Sequence, residues 1–128
     1  MVKLAFESGC TDLAVGIESA SQEVLKRINK RIDLSEAKNY VNLIRETGIG
    51  VRLHFILELP GEPDDIVKQT LSLIDDINPN SVLLFLLCPM SGSEMFDSPE
   101  RFGIKIDTTD WKNIVLHLGD LMRMNYLI

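Results

Sequence analysis

The sequence has 128 residues, which is enough for one hydrophobic core and too short for two domains of ordinary size. Its formal net charge of −6 argues against a nucleic-acid backbone as the main partner. Cys10 and Cys88 lie far apart, so one disulfide is possible but no disulfide framework is indicated. We find no signal-peptide pattern and no apolar run of the roughly 18 residues that a membrane helix needs, and we expect a cytoplasmic protein without a membrane partner.

The first third of the chain alternates between helical and strand patterns. The segment "VKLAFESG" predicts the end of a helix that stops at Gly9, and "DLAVGI" (12–17) predicts a buried strand. The segment "SQEVLKRIN" (21–29) predicts a short helix. A longer helix follows, with Asp33 and Glu36 in a capping-box spacing and Gly48 at its C-terminal end. Its apolar stripe consists of Ala37, Tyr40, Val41 and Ile44.

The middle of the chain predicts a second and a third strand with a helix between them. The second strand is "VRLHFILEL" (51–59), and the third is "SVLLFLL" (81–87). Pro63 is expected in the first turn of the intervening helix, where its missing N–H costs little. The inner face of that helix is predicted to contain Ile66, Val67, Thr70, Leu71 and Ile74.

These elements predict an α/β fold with about three parallel strands and covering helices. Strands that are apolar throughout are usually covered on both faces or enclosed in a barrel. Residues 1–107 are predicted to form this unit, and residues 108–128 an amphipathic helix. Such a small sheet has two apolar edges, so we expect the chain to self-associate through them.

Candidate site residues lie where the strands end, because parallel α/β folds bind ligands at the carboxyl ends of their strands. Glu18 and Ser19 close the first strand, and His54 lies in the second. Taken singly, each has a structural interpretation. Glu18 suits the start of a helix, His54 suits a hydrogen-bonded position in the core, and Lys30 suits a solvated basic surface.

Three motifs in this order carry more information than any one of them. The segments "VGIESASQEVLKRINK", "GIGVRLHFILELPGE" and "CPMSGSEM" resemble the later part of radical S-adenosylmethionine (radical SAM) enzymes. The branch they resemble includes anaerobic coproporphyrinogen oxidases, methylthiotransferases and cobalamin-binding members, and the resemblance covers residues 4–110. It implies a partial (β/α)6 barrel in which SAM lies across the strand ends. It also implies a [4Fe–4S] cluster that reductively cleaves SAM to a 5′-deoxyadenosyl radical.

The resemblance assigns roles to particular positions. Glu18, with Ser19 beside it, matches a residue that contacts the polar part of SAM, and Lys30 matches a basic residue that meets the methionyl carboxylate. His54 matches a polar residue directed at the ribose hydroxyls, and Ile56 matches the apolar support for adenine. The two-residue period of a strand would place His54, Ile56 and Glu58 on one face. No catalytic residue and no metal ligand is assigned.

Departures from the family pattern limit what this chain is expected to do alone. The cluster motif CxxxCxxC is absent, Glu58 replaces a glycine, and "MSGSEM" replaces a proline- and glycine-containing loop. We therefore expect the second half of a radical SAM barrel, which needs the first half as a partner and is inactive by itself.

Two other functions are compatible with the sequence. A non-enzymatic α/β interaction or regulatory module would explain the acidic composition and the missing cluster cysteines. A metal-dependent hydrolase using His54, Glu18 and Glu58 is disfavoured, because the two histidines do not have metal-ligand spacing.

Overall fold

The computed structural model describes residues 1–106. Its elements are α1 (Val2–Glu7), β1 (Asp12–Glu18), α2 (Gln22–Arg27), α3 (Leu34–Arg45), β2 (Gly50–Leu57), α4 (Ile66–Ile77), β3 (Ser81–Leu86), α5 (Glu94–Asp97) and a 3-10 helix (Pro99–Phe102). The chain divides into two compact units, Met1–Leu87 and Cys88–Ile128. The helix predicted for residues 108–128 lies outside the described residues, and a domain boundary at 107 stays a prediction.

The first unit contains a sheet of three parallel strands in the order β1-β2-β3. Helices connect the strands, because parallel neighbours need a crossover between them. In register, Val15 lies beside Leu53, and Leu53 lies beside Val82. The predicted α/β fold with three parallel strands is confirmed.

The hydrophobic core lies between one face of the sheet and helices α3 and α4. Its buried residues are Ile17, Ala37, Val41, Val51, Leu53, Phe55 and Ile77. Side chains alternate along a strand, so Arg52, His54 and Ile56 lie on the opposite face, which we call the open face. On β3, Leu83 and Phe85 belong to this face and are 42% and 39% exposed. Both faces of the sheet therefore carry apolar side chains, but α3 and α4 pack against only the face opposite the open face.

Short-range signals define the ends of α1 and α3. Asp33 caps α3 as predicted, but its side chain accepts from the Ser35 N–H and not from the Glu36 N–H that a capping box would use. Glu36 accepts from the Asn39 side chain, so its carboxylate is engaged within the helix. Gly9 and Gly48, just beyond α1 and α3, have φ of 90° and 91°, a conformation that favours glycine.

The structure corrects several predicted boundaries and faces. Strand β2 ends at Leu57 and not at 59, because Glu58 is left-handed with φ of 64° and breaks the extended backbone. Helix α4 begins at Ile66, so Pro63 lies in the preceding turn. Val67 and Leu71 are 62% and 58% exposed, and the inner face of α4 is instead formed by Thr70, Leu73, Ile74 and Ile77. Tyr40 is also exposed, at the margin of its stripe.

The second unit is described as far as residue 106. Ser93 caps α5 by accepting a hydrogen bond from the Phe96 N–H, and Arg101 in the 3-10 helix pairs with Glu94 in α5. Within residues 1–106, no helix is both long and apolar enough to cross a membrane.

Candidate functional site

The carboxyl end of β1 contains a break in register that turns Glu18 back over the strand. Gly16 pairs with His54, but Glu18, two residues later, pairs with Phe55. Glu18 has φ of 72°, an unusual conformation for a residue with a side chain. A Cβ built on Gly16 would come within 2.4 Å of Glu18 Oε1. The carboxylate therefore occupies the space that a side chain at position 16 would need, on the open face beside His54.

Lys30 meets Glu18 at this position. Lys30 Nζ donates to Glu18 Oε1 over 2.8 Å. The loop after α2 brings the lysine there: Asn29 adopts a left-handed φ of 58°, and the Lys30 backbone N–H donates to the Leu25 carbonyl. The Lys30 and Glu18 side chains are 36% and 19% exposed, so the pair is open to solvent on one side. Such a pair presents a carboxylate and an ammonium side by side, which matches the opposite charges of an amino-acid zwitterion.

His54 lies beside this pair and has an unused ring nitrogen. Its Nε2 is buried and has no hydrogen-bond partner among the described residues. The ring packs edge-on against Phe85, with 5.2 Å between ring centroids. A buried polar atom without a partner is costly, and such an atom next to an open face can be satisfied by a ligand.

Ile56 continues the open face beyond His54. It pairs in register with Phe85 and is partly exposed. Ile56 and Phe85 thus form an apolar surface next to the imidazole. Glu58 does not continue this alternation, since it lies after the end of β2. Glu18 and Lys30 are in direct contact, while His54 and Ile56 lie on the open face of β2 and Glu58 belongs to the following turn.

Ser19 has a different environment from the other four predicted residues. It is 2% exposed, and its Oγ accepts a hydrogen bond from the Ser21 N–H. Ser21 in turn caps α2 by accepting from the Val24 N–H. Ser19 therefore stabilises the start of α2, whose far end leads to Lys30.

The turn after β2 contains Glu62, which the sequence alone indicates only as part of the acidic start of the next helix. Glu62 Oε2 accepts a hydrogen bond from the Glu58 N–H over 3.0 Å, whereas Oε1 is buried without a partner among the described residues. Burial raises the pKa of Glu62; hydrogen bonds with the backbone of Glu58 and Leu59 oppose this increase in part, and the nearby Glu58 carboxylate adds a smaller increase. The Arg27 guanidinium lies against Gly61, where a Cβ would come within 2.6 Å of it. The sequence Pro60-Gly61-Glu62 indicates a turn, but the contacts of Glu62 with Glu58 and of Arg27 with Gly61 can be seen only in the structure.

The described residues do not provide a site for an iron–sulfur cluster. Within residues 1–106 there is no group of three or more His, Cys, Asp or Glu side chains placed to hold a metal ion. Cys10 and Cys88, the two cysteines of the chain, are both free thiols. A [4Fe–4S] cluster needs several thiolate ligands in one place, so these residues do not fit one.

Comparison with known proteins decides the family. The model of the radical SAM superfamily matches residues 1–74, more than half of the chain. The chain belongs to the radical SAM superfamily. The expected family membership is therefore confirmed.

Curated radical SAM relatives are similar over most of this chain. The tRNA-2-methylthio-N(6)-dimethylallyladenosine synthase of Treponema denticola is 29% identical over 94 residues, which cover 72% of this chain and 21% of that protein. The anaerobic magnesium-protoporphyrin IX monomethyl ester cyclase of Rubrivivax gelatinosus is 24% identical over 112 residues, or 88% of this chain and 20% of that protein. The chain thus spans about a fifth of the length of these relatives.

A solved radical SAM structure shares the fold. Coproporphyrinogen III oxidase from Escherichia coli, described as a radical SAM enzyme, superimposes with a TM-score of 0.67 at 18% identity, over 97% of this chain and 29% of that one. At this identity the likeness concerns the fold. It supports the prediction that the three parallel strands are part of a radical SAM barrel.

Proposed function

We propose that this chain forms the SAM-binding part of a radical SAM iron–sulfur oxidoreductase. The observation that supports this most directly is the Glu18–Lys30 pair, which lies against Gly16 and beside the unpartnered Nε2 of His54. These groups stand at the carboxyl ends of parallel strands, where α/β folds bind ligands.

In this proposal each side chain recognises one part of SAM. Lys30 donates to the methionyl carboxylate and Glu18 accepts from the amino group, so the two protein charges exchange partners with a zwitterion. The Nε2 of His54 pairs with a ribose hydroxyl, which satisfies its missing hydrogen bond. Ile56 supports the adenine ring by apolar contact. Ser19 contributes indirectly, since its hydroxyl holds the start of α2.

Direct binding tests this assignment. Isothermal titration of the chain with SAM should give saturable binding that is weakened when Lys30 is replaced by Met. Lys38→Met is the matched control, because Lys38 also forms an ion pair, with Asp76 at 2.6 Å, but on the outer surface of α3 and α4. Equal losses in the two variants, or no SAM binding at all, would leave the interaction or regulatory module as the better interpretation.

The cluster ligands in this proposal come from protein outside this sequence. The parent enzyme uses its [4Fe–4S] cluster to supply the electron that cleaves SAM reductively. The residues described do not fit that cluster, so we assign this chain SAM binding and expect it to be inactive alone. Detection of 5′-deoxyadenosine by mass spectrometry, after anaerobic iron–sulfur reconstitution of this chain, would contradict the assignment.

The partner in this proposal is the other half of the barrel. β1 and β3 are the two edges of the described sheet, and β3 exposes Leu83, Leu84 and Phe85. Unpaired apolar edges recruit further strands. The other half would cover them in the parent enzyme, and a second copy of the chain would do so in isolation. The free thiols of Cys10 and Cys88 are in keeping with the reducing cytoplasm, where we place the protein.

A further inference from the structure

We infer that the loop between α2 and α3 forms a second ligand site, which binds a phosphoryl group of a small molecule. A cavity of about 550 Å³ lies at this loop, and its lining includes Lys26, Asn29, Lys30 and Arg31. Lys26, Asn29 and Arg31 have no part in the proposed SAM site, whereas Lys30 belongs to both sites.

The charge in this cavity is the first argument. The protein as a whole carries a net charge of −6, yet Lys26, Lys30 and Arg31 line the same cavity, opposed there by Asp33. Asp33 Oδ1 accepts hydrogen bonds from both the N–H and the hydroxyl of Ser35, so part of that carboxylate is already engaged. The cavity is therefore a local cationic site in an acidic protein, and it would concentrate anions.

The second argument is that two of these cations have no acidic partner among the described residues. Lys30 pairs with Glu18, but neither Lys26 nor Arg31 forms a salt bridge within residues 1–106. Arg31 carries a planar fork of donors that suits phosphate oxygens, and Lys26 adds a point charge. The Asn29 side chain supplies a neutral amide at the same cavity.

The third argument is that the loop is held in place. The Gln22 side chain donates to the Ile32 carbonyl over 2.8 Å and accepts from the Leu34 N–H over 3.0 Å. These two bonds tie α2 to the start of α3 on either side of Asp33. Because Arg31 lies next to Ile32, its backbone is positioned before any ligand arrives, which lowers the entropic cost of binding.

The number of cations in the cavity indicates which class of anionic ligand it fits. Two cations in one cavity, neither with an acidic partner in residues 1–106, suit one or two phosphoryl groups, whereas a nucleic-acid backbone needs a longer row of cations. We therefore assign the site to a small phosphorylated molecule, and pyrophosphate is a suitable probe.

The test is a titration of the full 128-residue chain with sodium pyrophosphate, in which changes in backbone amide NMR chemical shifts report binding. We expect saturable shifts centred on residues 26–33, and an affinity weakened roughly tenfold when Lys26 and Arg31 are both replaced by Gln, as expected for lost charge-assisted contacts. A chain with Lys26→Gln alone should show an intermediate loss. The double variant should still bind SAM, which separates this inference from the proposed function.

The control removes the same positive charge elsewhere. A chain carrying Lys3→Gln and Lys38→Gln has the same net charge as the double variant and should bind pyrophosphate as the original chain does. Equal weakening in this control, or shifts that sodium chloride reproduces at equal ionic strength, would overturn the inference. Tighter binding of a short RNA, with a salt dependence that indicates many phosphate contacts, would overturn the assignment to a small molecule.

Discussion

Gly16 lies directly beneath the Glu18 carboxylate, so that a Cβ at position 16 would approach Glu18 Oε1 to 2.4 Å and Lys30 Nζ to 3.3 Å. The missing side chain at position 16 thus leaves the space in which the Glu18–Lys30 ion pair of the proposed SAM site lies.

The variant Gly16→Ala tests this relationship. The added methyl group displaces the end of a flexible side chain, so the free energy of unfolding should change by less than about 1 kcal/mol. Affinity for SAM should fall roughly tenfold, because the carboxylate leaves its position beside Lys30. Calorimetric titration with SAM measures the affinity, and urea unfolding measures the stability.

Gly50→Ala is the matched control for that experiment. A Cβ at Gly50 would approach Asp12 Oδ1 to 2.6 Å, again the end of a carboxylate, but at the opposite end of the same pair of strands. This variant should retain SAM affinity. If both alanines weaken SAM binding equally, the space above Gly16 has no special role.

Glu58 supports a prediction about stability. Its φ of 64° is costly for a residue with a Cβ and costs glycine little, which gives a physical reason for the glycine at this position in the family pattern. We expect Glu58→Gly to raise the free energy of unfolding by about 0.5–1 kcal/mol in urea titrations. Glu58→Ala removes the same charge but keeps the left-handed strain, and it should not reproduce the gain.

Glu62 gives the stability a defined pH dependence. Burial raises its pKa, so the folded protein holds this proton more tightly than the unfolded chain does. The resulting stabilisation is complete below the ordinary glutamate pKa and is lost as pH rises through the raised value. Glu62→Gln should therefore flatten the dependence of the urea midpoint on pH above the ordinary glutamate pKa.

Asp33 should affect the pH dependence of stability in the opposite direction, because its pKa is lowered and not raised. Hydrogen bonds from the Ser35 hydroxyl and N–H lower the pKa of Asp33, so its contribution is present above the ordinary aspartate pKa and is lost as pH falls. Asp33→Asn keeps a capping side chain and should remove that acid-side loss. A Glu62→Gln profile parallel to that of the unsubstituted chain would contradict the burial effect.

The exposed edge strand predicts self-association of the isolated chain. Leu83→Lys places a charge on β3, which should discourage strand pairing and shift the sedimentation profile toward monomer. Val67→Lys changes an apolar residue on α4 that is more exposed than Leu83, at 62% against 42%, and serves as the control. If only Val67→Lys yields monomer, the helical surface and not the strand edge mediates association.

Local signals in the sequence were enough for the order of the elements. The apolar runs predicted all three strands, and Asp33 correctly predicted the start of α3, because capping is a contact between near neighbours. The apolar pattern predicts a strand through Leu59, two residues beyond the end of β2, because the pattern does not show that the backbone turns at Glu58. Periodicity alone also could not show that Val67 and Leu71 face away from the core.

The site depended on a different kind of information. Taken singly, Glu18, Lys30 and His54 fit ordinary structural roles, and it is the resemblance to the family that assigns them to one site. The structure adds the contacts that neither source contained: the Glu18 carboxylate above Gly16, the Phe85 ring against His54, and the Glu62 hydrogen bond to the Glu58 N–H. Each joins residues through the fold or through an unusual backbone conformation, which sequence spacing does not encode.

The register break in β1 separates two adjacent residues by environment: Ile17 is 2% exposed within the core, while Glu18 reaches back to Lys30. Because Glu18 lies on the side of β1 opposite Ile17, a change of its side chain leaves the apolar layer beneath the strand in place. Substitutions at position 18 should therefore change the specificity of the proposed SAM site without destabilising the hydrophobic core.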